Sequence, residues 1–253
     1  MKLVYQSRGE GTPLVLVHGL FGSADNLGGI ARILAEDYRV ISVDLRNHGR
    51  SPHAQSMTYH EMAVDVLEVL DREAIASTHI FGHSMGGKTA MQLAIDHPAR
   101  INRLVVGDIA PVRYPPHHSQ IFKGMRTVSA AAPSSRKAAQ EILATFEPER
   151  AVLGFLMTNW RRTQDGSWQW RINLDAIEGG YSDIAAGNTG GPYNGNTLFL
   201  RGGDSDYIQV EHRDTILSLF PKATVRTIEG TGHWLHAEKP DMVARAISRF
   251  FMA

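Results

Sequence analysis

The sequence predicts an open, mostly parallel β-sheet with helices packed on both faces. Short aliphatic runs recur along the chain, they are continuous rather than alternating, and helical patterns lie between them. A continuous apolar run of strand length is what a strand buried on both faces requires, and alternation of such runs with helices is the signature of a parallel α/β sheet.

The elements follow in order. Residues 1–8 (MKLVYQSR) read as a short strand. The buried-strand candidates are PLVLVHG (13–19), RVISVDL (39–45), THIFGHS (78–84), RLVVGDIA (103–110), TLFLRGG (197–203) and TVRTIEG (224–230). Residues 58–73 form a helix candidate in which Thr58 and Glu61 make a capping box and Met62, Val66, Leu67 and Leu70 recur at helical spacing. A last helix runs over 240–251; Pro240 suits its first turn, and Met242, Val243, Ile247 and Phe250 form its apolar stripe.

The alternation fails between Pro111 and Asn196. That stretch has helical patches, Trp160, Trp168 and Trp170, and no convincing buried strand, between Pro- and Gly-rich ends. We read residues 112–195 as a helical lid or cap inserted into a core made of 1–111 and 196–253. A second independent domain would need more aliphatic runs than this segment has.

Composition narrows the function. The chain has 253 residues, 26 Lys plus Arg against 26 Asp plus Glu, and no cysteine. The charge balance gives nucleic acid no electrostatic hold. Without cysteine there is no disulfide, thiol nucleophile or cysteine-bound zinc. No apolar run reaches the length of a membrane span or a signal peptide, so a cytoplasmic location is the default expectation. No repeat or low-complexity segment is visible, and the oligomeric state is not encoded in any pattern.

The chemistry starts at GHSMGG (82–87), which follows a buried-strand candidate and precedes a helical pattern. G-x-S-x-G in that context is a nucleophile elbow: the turn is so sharp that side chains beside Ser84 would clash, and the serine's Oγ is left exposed at a helix N-terminus. A serine hydroxyl is a poor nucleophile without a base in reach. His233, in GTGHWLHAEKP (230–240), follows the last predicted strand, and Gly230 and Gly232 free the backbone before it; His236 is its rival. An acid must orient the imidazole. Asp108 is preferred because it is the one charge in the apolar stretch VVGDIA, and Asp204 and Asp206, in a polar turn one strand later, stay open as alternatives. For the oxyanion, the expected donors are the backbone N–H groups of Met85 and Leu20, the latter in VHGLFG (17–22). His117-His118 lacks the carboxylate or cysteine company of a metal site, so no metal is expected.

With these residues identified, the chain resembles the α/β-hydrolases over nearly its whole length. VHGLFGSADN, VDLRNHGRSP, GHSMGG, DIAPV, WRINLDAI, GGDSDYI and GTGHWLHAEKP together look like the YbfF-like esterases within that superfamily. The resemblance implies a serine esterase with a small helical lid inserted after the sixth strand, the acid at Asp108, no cofactor, and a small-molecule ester of short or medium acyl length as substrate. His48, Arg50 and Ser51 of RNHGRS read as braces between loops near the active-site rim, and Arg113, His117, His118 and Lys123 as a positive rim on the lid or as ordinary solvated charges. A thioesterase, another acyl hydrolase using the same three residues, and a hydrolase-fold receptor for a small molecule are the alternative functions. Haloalkane and epoxide chemistry is disfavoured, since those relatives use an Asp nucleophile where this chain has Ser84.

Overall fold

A computed structural model describes all 253 residues. Seven strands form one sheet: β1 (Tyr5–Arg8), β2 (Thr12–Val17), β3 (Tyr38–Val43), β4 (Thr78–His83), β5 (Ile101–Gly107) and, after a long insertion holding β6 (Trp160–Arg162) and β7 (Trp168–Trp170), β8 (Thr197–Gly202) and β9 (Ala223–Ile228). Their order is β1-β3-β2-β4-β5-β8-β9. Only β1 runs antiparallel, pairing Tyr5 with Val43 and Arg8 with Val40; every other neighbour in this sheet is parallel. Leu14, Val15, Leu16 and Val17 are wholly buried, as a strand covered on both faces demands.

The helices are α1 (Gly28–Leu34), α2 (Tyr59–Arg72), α3 (Met85–Asp96), α4 (Ser119–Ala131), α5 (Arg136–Leu143), α6 (Arg150–Leu156), α7 (Leu174–Gly179), α8 (Tyr181–Ala185), α9 (Arg213–Leu219), α10 (Leu235–Glu238) and α11 (Pro240–Met252). α2 begins with the Thr58–Glu61 capping box: the Thr58 side chain accepts from Glu61 N–H, and Glu61 Oε2 accepts from Thr58 N–H at 2.9 Å. α11 has Pro240 in its first turn, but its buried stripe is Val243, Ala244, Ala246, Ile247 and Phe251. The stripe is rotated from the expected one: at 3.6 residues per turn, Met242 faces solvent and Phe250 lies at the margin.

One face of the sheet packs on α1 and α11 through Leu27, Ile30, Leu34, Val243 and Ile247. The other packs on α2 and α3, and its hydrophobic cluster runs without a break into the insertion through Phe122, Met125, Leu143, Leu156 and Trp160. A shared core is what ties the insertion to the sheet. Trp170, Trp160 and Trp168 lie on the β6–β7 hairpin, a strand pair too short for the sequence pattern to reveal. The insertion follows the fifth strand in chain order; the resemblance implies a sixth, but the N-terminal segment supplies a single strand ahead of β2.

Lys88, on α3, holds both ends of the insertion. Its buried Nζ donates to Val112 O at 2.7 Å and Ala186 O at 2.5 Å, and Asn188 Nδ2 donates back to Lys88 O at 2.8 Å. Residues of the insertion, among them Ile121, Phe155 and Ile184, line one cavity with residues that follow the strand ends.

Candidate active site

Ser84 lies between β4 and α3 with φ 54° and ψ −121°, a strained conformation for a residue with a Cβ. Its two glycine neighbours make the turn possible. A Cβ on Gly86 would come within 2.3 Å of Val17 O, and one on Gly82 within 2.1 Å of Gly86 O; both obstacles are backbone and cannot yield. Ser84 N–H donates to Gly107 O at 2.9 Å, which pins the elbow to the end of β5.

The Ser84 hydroxyl lies 3.0 Å from His233 Nε2, and His233 Nδ1 lies 2.8 Å from Asp108 Oδ2. A carboxylate only accepts, so Nδ1–H donates to Asp108 and Nε2 is left to accept from Ser84. Asp108 is fully buried, and its own backbone has φ 50°. Its Oδ1 accepts Gly202 N–H at 2.9 Å, and Ser205 Oγ donates to Oδ2. Burying a carboxylate is costly unless its lone pairs are met. Here three donors meet them.

The other acids are elsewhere. Asp204 and Asp206 are exposed, and neither bonds to His233; Asp204 N–H donates instead to Thr231 O at 2.9 Å. His236, the rival base, is buried against His83, with ring centroids 4.3 Å apart, and burial pushes it down to about 3. The residue before the serine also matters: His83 Nε2–H donates to His233 O at 2.8 Å, fixing the loop that carries the imidazole.

The glycine loop after β2 completes the site. Gly19 packs so close that a Cβ there would lie 3.2 Å from Ser84 Cβ. Phe21 N–H is already committed to His48 Nε2 at 3.1 Å and Gly22 N–H to Gly19 O at 3.0 Å, whereas Leu20 N–H makes no hydrogen bond. Met85 N–H is the first of α3, one of the orphan donors at a helix start. His18 and His48 brace this loop. His18 Nδ1 donates to Gly19 O at 2.8 Å while its Nε2 accepts Leu45 N–H at 3.0 Å. His48 Nδ1 donates to Arg46 O at 2.9 Å. Each imidazole thus has a fixed tautomer, and burial lowers them to about 4 and about 3, so both stay neutral.

RNHGRS is a bracing loop throughout: Arg50 N–H donates to Asp44 Oδ2 at 2.9 Å, and Ser51 Oγ donates to Asp44 O at 2.6 Å. Of the insertion's basic residues, His117 and His118 line the cavity, while Arg113 and Lys123 are exposed and lie outside its lining, which fits ordinary solvated charges better than a positive rim. Arg113 Nη1 donates to Ser182 O at 3.3 Å, Lys123 lies over the Phe146 ring, and burial takes His118 down to about 3, leaving it uncharged.

A cavity of about 290 Å³ opens on Ser84 and His233. Its walls are mainly apolar, with Ile109, Ile121, Val152, Phe155, Leu156 and Ile184 among them. Trp234 also lines it, its ring 6.2 Å from that of Phe155. No set of three or more His, Cys, Asp or Glu side chains is arranged to hold a metal ion.

Parallel strands in this order, with a serine-bearing elbow at the end of β4, define an α/β hydrolase, and the chain belongs to that family: the α/β hydrolase fold model matches residues 12–240. Within it the chain is YbfF-like. Esterase YbfF of Escherichia coli (strain K12) is 42% identical over 246 residues, 97% of this chain and 95% of its own. The sn-1-specific diacylglycerol lipase ABHD11 of Mus musculus is 38% identical, covering 94% of this chain and 80% of the lipase. Among solved structures, a marine microorganism esterase superposes with TM-score 0.96 at 38% identity, over 98% of this chain and 99% of that one.

The sequence left several of these residues without a role. Ser205, Tyr207, His83 and Lys88 gave no signal by themselves, because each acts through a partner distant in the chain. His18 was visible only as part of a glycine turn.

Proposed function

We propose that the protein is a serine carboxylic ester hydrolase acting on small-molecule esters of short to medium acyl length. The observation that carries this reading is the in-line relay of Ser84, His233 and Asp108, at 3.0 and 2.8 Å, under an apolar cavity. In the reaction, His233 Nε2 takes the Ser84 proton as Oγ attacks the ester carbonyl. Asp108 stabilises the imidazolium. The N–H groups of Leu20 and Met85 hold the oxyanion, each donor being worth on the order of 10²–10³ in rate. His233 then gives the proton to the leaving alcohol, and water repeats the cycle on the acyl-enzyme. The chain's own groups complete every step, so the mechanism calls for no metal or organic cofactor.

The names of the relatives support ester chemistry, and the mainly apolar cavity of about 290 Å³ supports a modest acyl chain. Residues 112–195 act in this reading as a lid over the core formed by 1–111 and 196–253. No helix is long and apolar enough to cross a membrane.

The test is Ser84→Ala assayed with p-nitrophenyl esters of increasing acyl length, alongside labelling by a fluorophosphonate. The wild type hydrolyses the short and medium esters and takes the label; the variant folds and does neither. Turnover that survives in Ser84→Ala overturns the nucleophile. A folded wild type that binds esters without forming an acyl-enzyme would mark the small-molecule receptor instead.

A further inference from the structure

The loop after β8, GGDSDYI (202–208), carries Asp204 and Asp206, both exposed. The residues between and after them turn inward. Ser205 Oγ donates to Asp108 Oδ2, and Tyr207 N–H donates to Ser205 Oγ at 3.3 Å. The Tyr207 ring lies nearly parallel over the His233 imidazole, with centroids 3.9 Å apart and planes 21° from each other.

Tyr207 is held from several sides. Its phenol oxygen lies 2.7 Å from His117 Nε2, and its carbonyl accepts the Tyr114 hydroxyl. Tyr114 is anchored in turn by Ala110 N–H at 2.9 Å, two residues after Asp108. Tyr207 is half-buried: it packs against the edge of the hydrophobic core and also lines the cavity. A face-on approach brings the negative face of the phenol ring against the imidazole, and that contact becomes favourable when the imidazole gains a proton.

We propose that Tyr207 is a positioning residue of the proposed esterase, its ring fixing the plane of His233 and stabilising the imidazolium that forms as Ser84 attacks. The backbone bonds of Tyr207 to Ser205 and Tyr114 hold the ring over the imidazole, and His117, on the insertion, adds a contact at the phenol oxygen. The proposal rests on the serine-esterase reading and adds a residue to it.

The charged and titratable groups facing His233 are few. Asp108 bonds its Nδ1, and His83, His236 and His118 lie around it. Burial lowers all three of those histidines and keeps them neutral, and burial also pushes the Tyr207 phenol up to about 12, so its ring stays uncharged. Asp108 and the Tyr207 face are therefore the groups that favour the charged imidazole.

The experiment compares Tyr207→Phe, Tyr207→Leu and a series carrying phenylalanine with increasing ring fluorination at 207, all assayed for kcat, KM and the pH profile of kcat/KM. Tyr207→Phe keeps the face and stays within about twofold of wild type in kcat. Tyr207→Leu lowers kcat about tenfold at nearly constant KM, the scale of a desolvated cation–π contact, and moves the acidic limb to lower pH because the charged imidazole is less favoured. In the fluorinated series, which preserves shape, kcat falls stepwise as the ring face loses its negative character. A folded Leu variant with wild-type kcat and limb, or a Phe variant as impaired as Leu, overturns the proposal. If Tyr207→Leu fails to fold, a flat fluorinated series overturns it. Every folded variant still takes the fluorophosphonate label at Ser84; a wild type that neither labels nor turns over esters refutes the esterase reading itself.

Discussion

His48 Nε2 accepts the backbone N–H of Phe21 at 3.1 Å, so a side chain from the loop after β3 fixes the glycine loop after β2. The bond removes one N–H from that loop's free donors and leaves its neighbour, at Leu20, without a partner, beside Gly19 whose backbone packs against Ser84. An oxyanion hole needs its donor rigid before charge develops, because reorganisation during reaction would cost what the bond supplies.

Loosening that brace is therefore expected to show in the rate. His48→Ala should lower kcat by about 10–100-fold, a fraction of one oxyanion donor's worth, with a smaller effect on KM. His48→Gln, which can still accept from Phe21, should recover part of the loss. Steady-state kinetics on one p-nitrophenyl ester decide this; equal kcat in wild type and His48→Ala would show that the loop holds its shape unaided.

The acid is tested by amides. Asp108→Asn keeps the size but donates where it must accept, and places the wrong tautomer opposite Ser84. We expect kcat to drop by about 10⁴, the loss seen when a triad acid is replaced in this way. Asp204→Asn and Asp206→Asn, whose side chains are exposed, should stay near wild type. A larger loss in either of the latter would move the acid to the β8 loop.

Acid should unfold the protein through its buried histidines. Burial lowers His18 to about 4 and His48 and His236 to about 3, from a usual 6.5. Between those values the unfolded chain binds protons that the folded one refuses. Stability is thus fully present above about pH 6.5 and is lost as pH falls through the window toward 4, by about 1.4 kcal/mol per pH unit for each such histidine. Melting temperature measured from about pH 8 down to about pH 4 should hold level and then fall. His236 Nδ1 is buried with no partner, so His236→Phe should flatten the slope by one proton's share. An unchanged slope in that variant would mean His236 takes no part in the acid transition.

The buried strands, the helix starts at Thr58 and Pro240, and the elbow at Ser84 were legible because each is a local pattern. Aliphatic runs report burial, a capping box reports a helix end, and glycines flanking one serine report a turn that tolerates no side chain. Ser84 and His233 could be paired in advance because both follow strands, and parallel strands deliver their carboxyl ends to one edge. One feature was misjudged for an equally local reason: the α11 stripe was one residue out of phase. Of the two readings of the insertion's basic residues, ordinary solvated charge fits Arg113 and Lys123, which are exposed and do not line the cavity.

The apolar stretch VVGDIA already favoured Asp108 but left Asp204 and Asp206 open, and only the tertiary structure shows which of the three meets His233. The difference lies in contacts that span the chain: Asp108 meets Gly202 N–H across 94 positions and His233 across 125. Asp108 has left-handed backbone and a fully buried carboxylate, while Asp204 and Asp206 are exposed. The same dependence on distant contacts holds for His48, Ser205 and Tyr207. A local pattern records whether a residue is buried and how the chain turns there; which distant group its side chain meets depends on strand order and loop packing, and those exist only once the sheet has closed around its core.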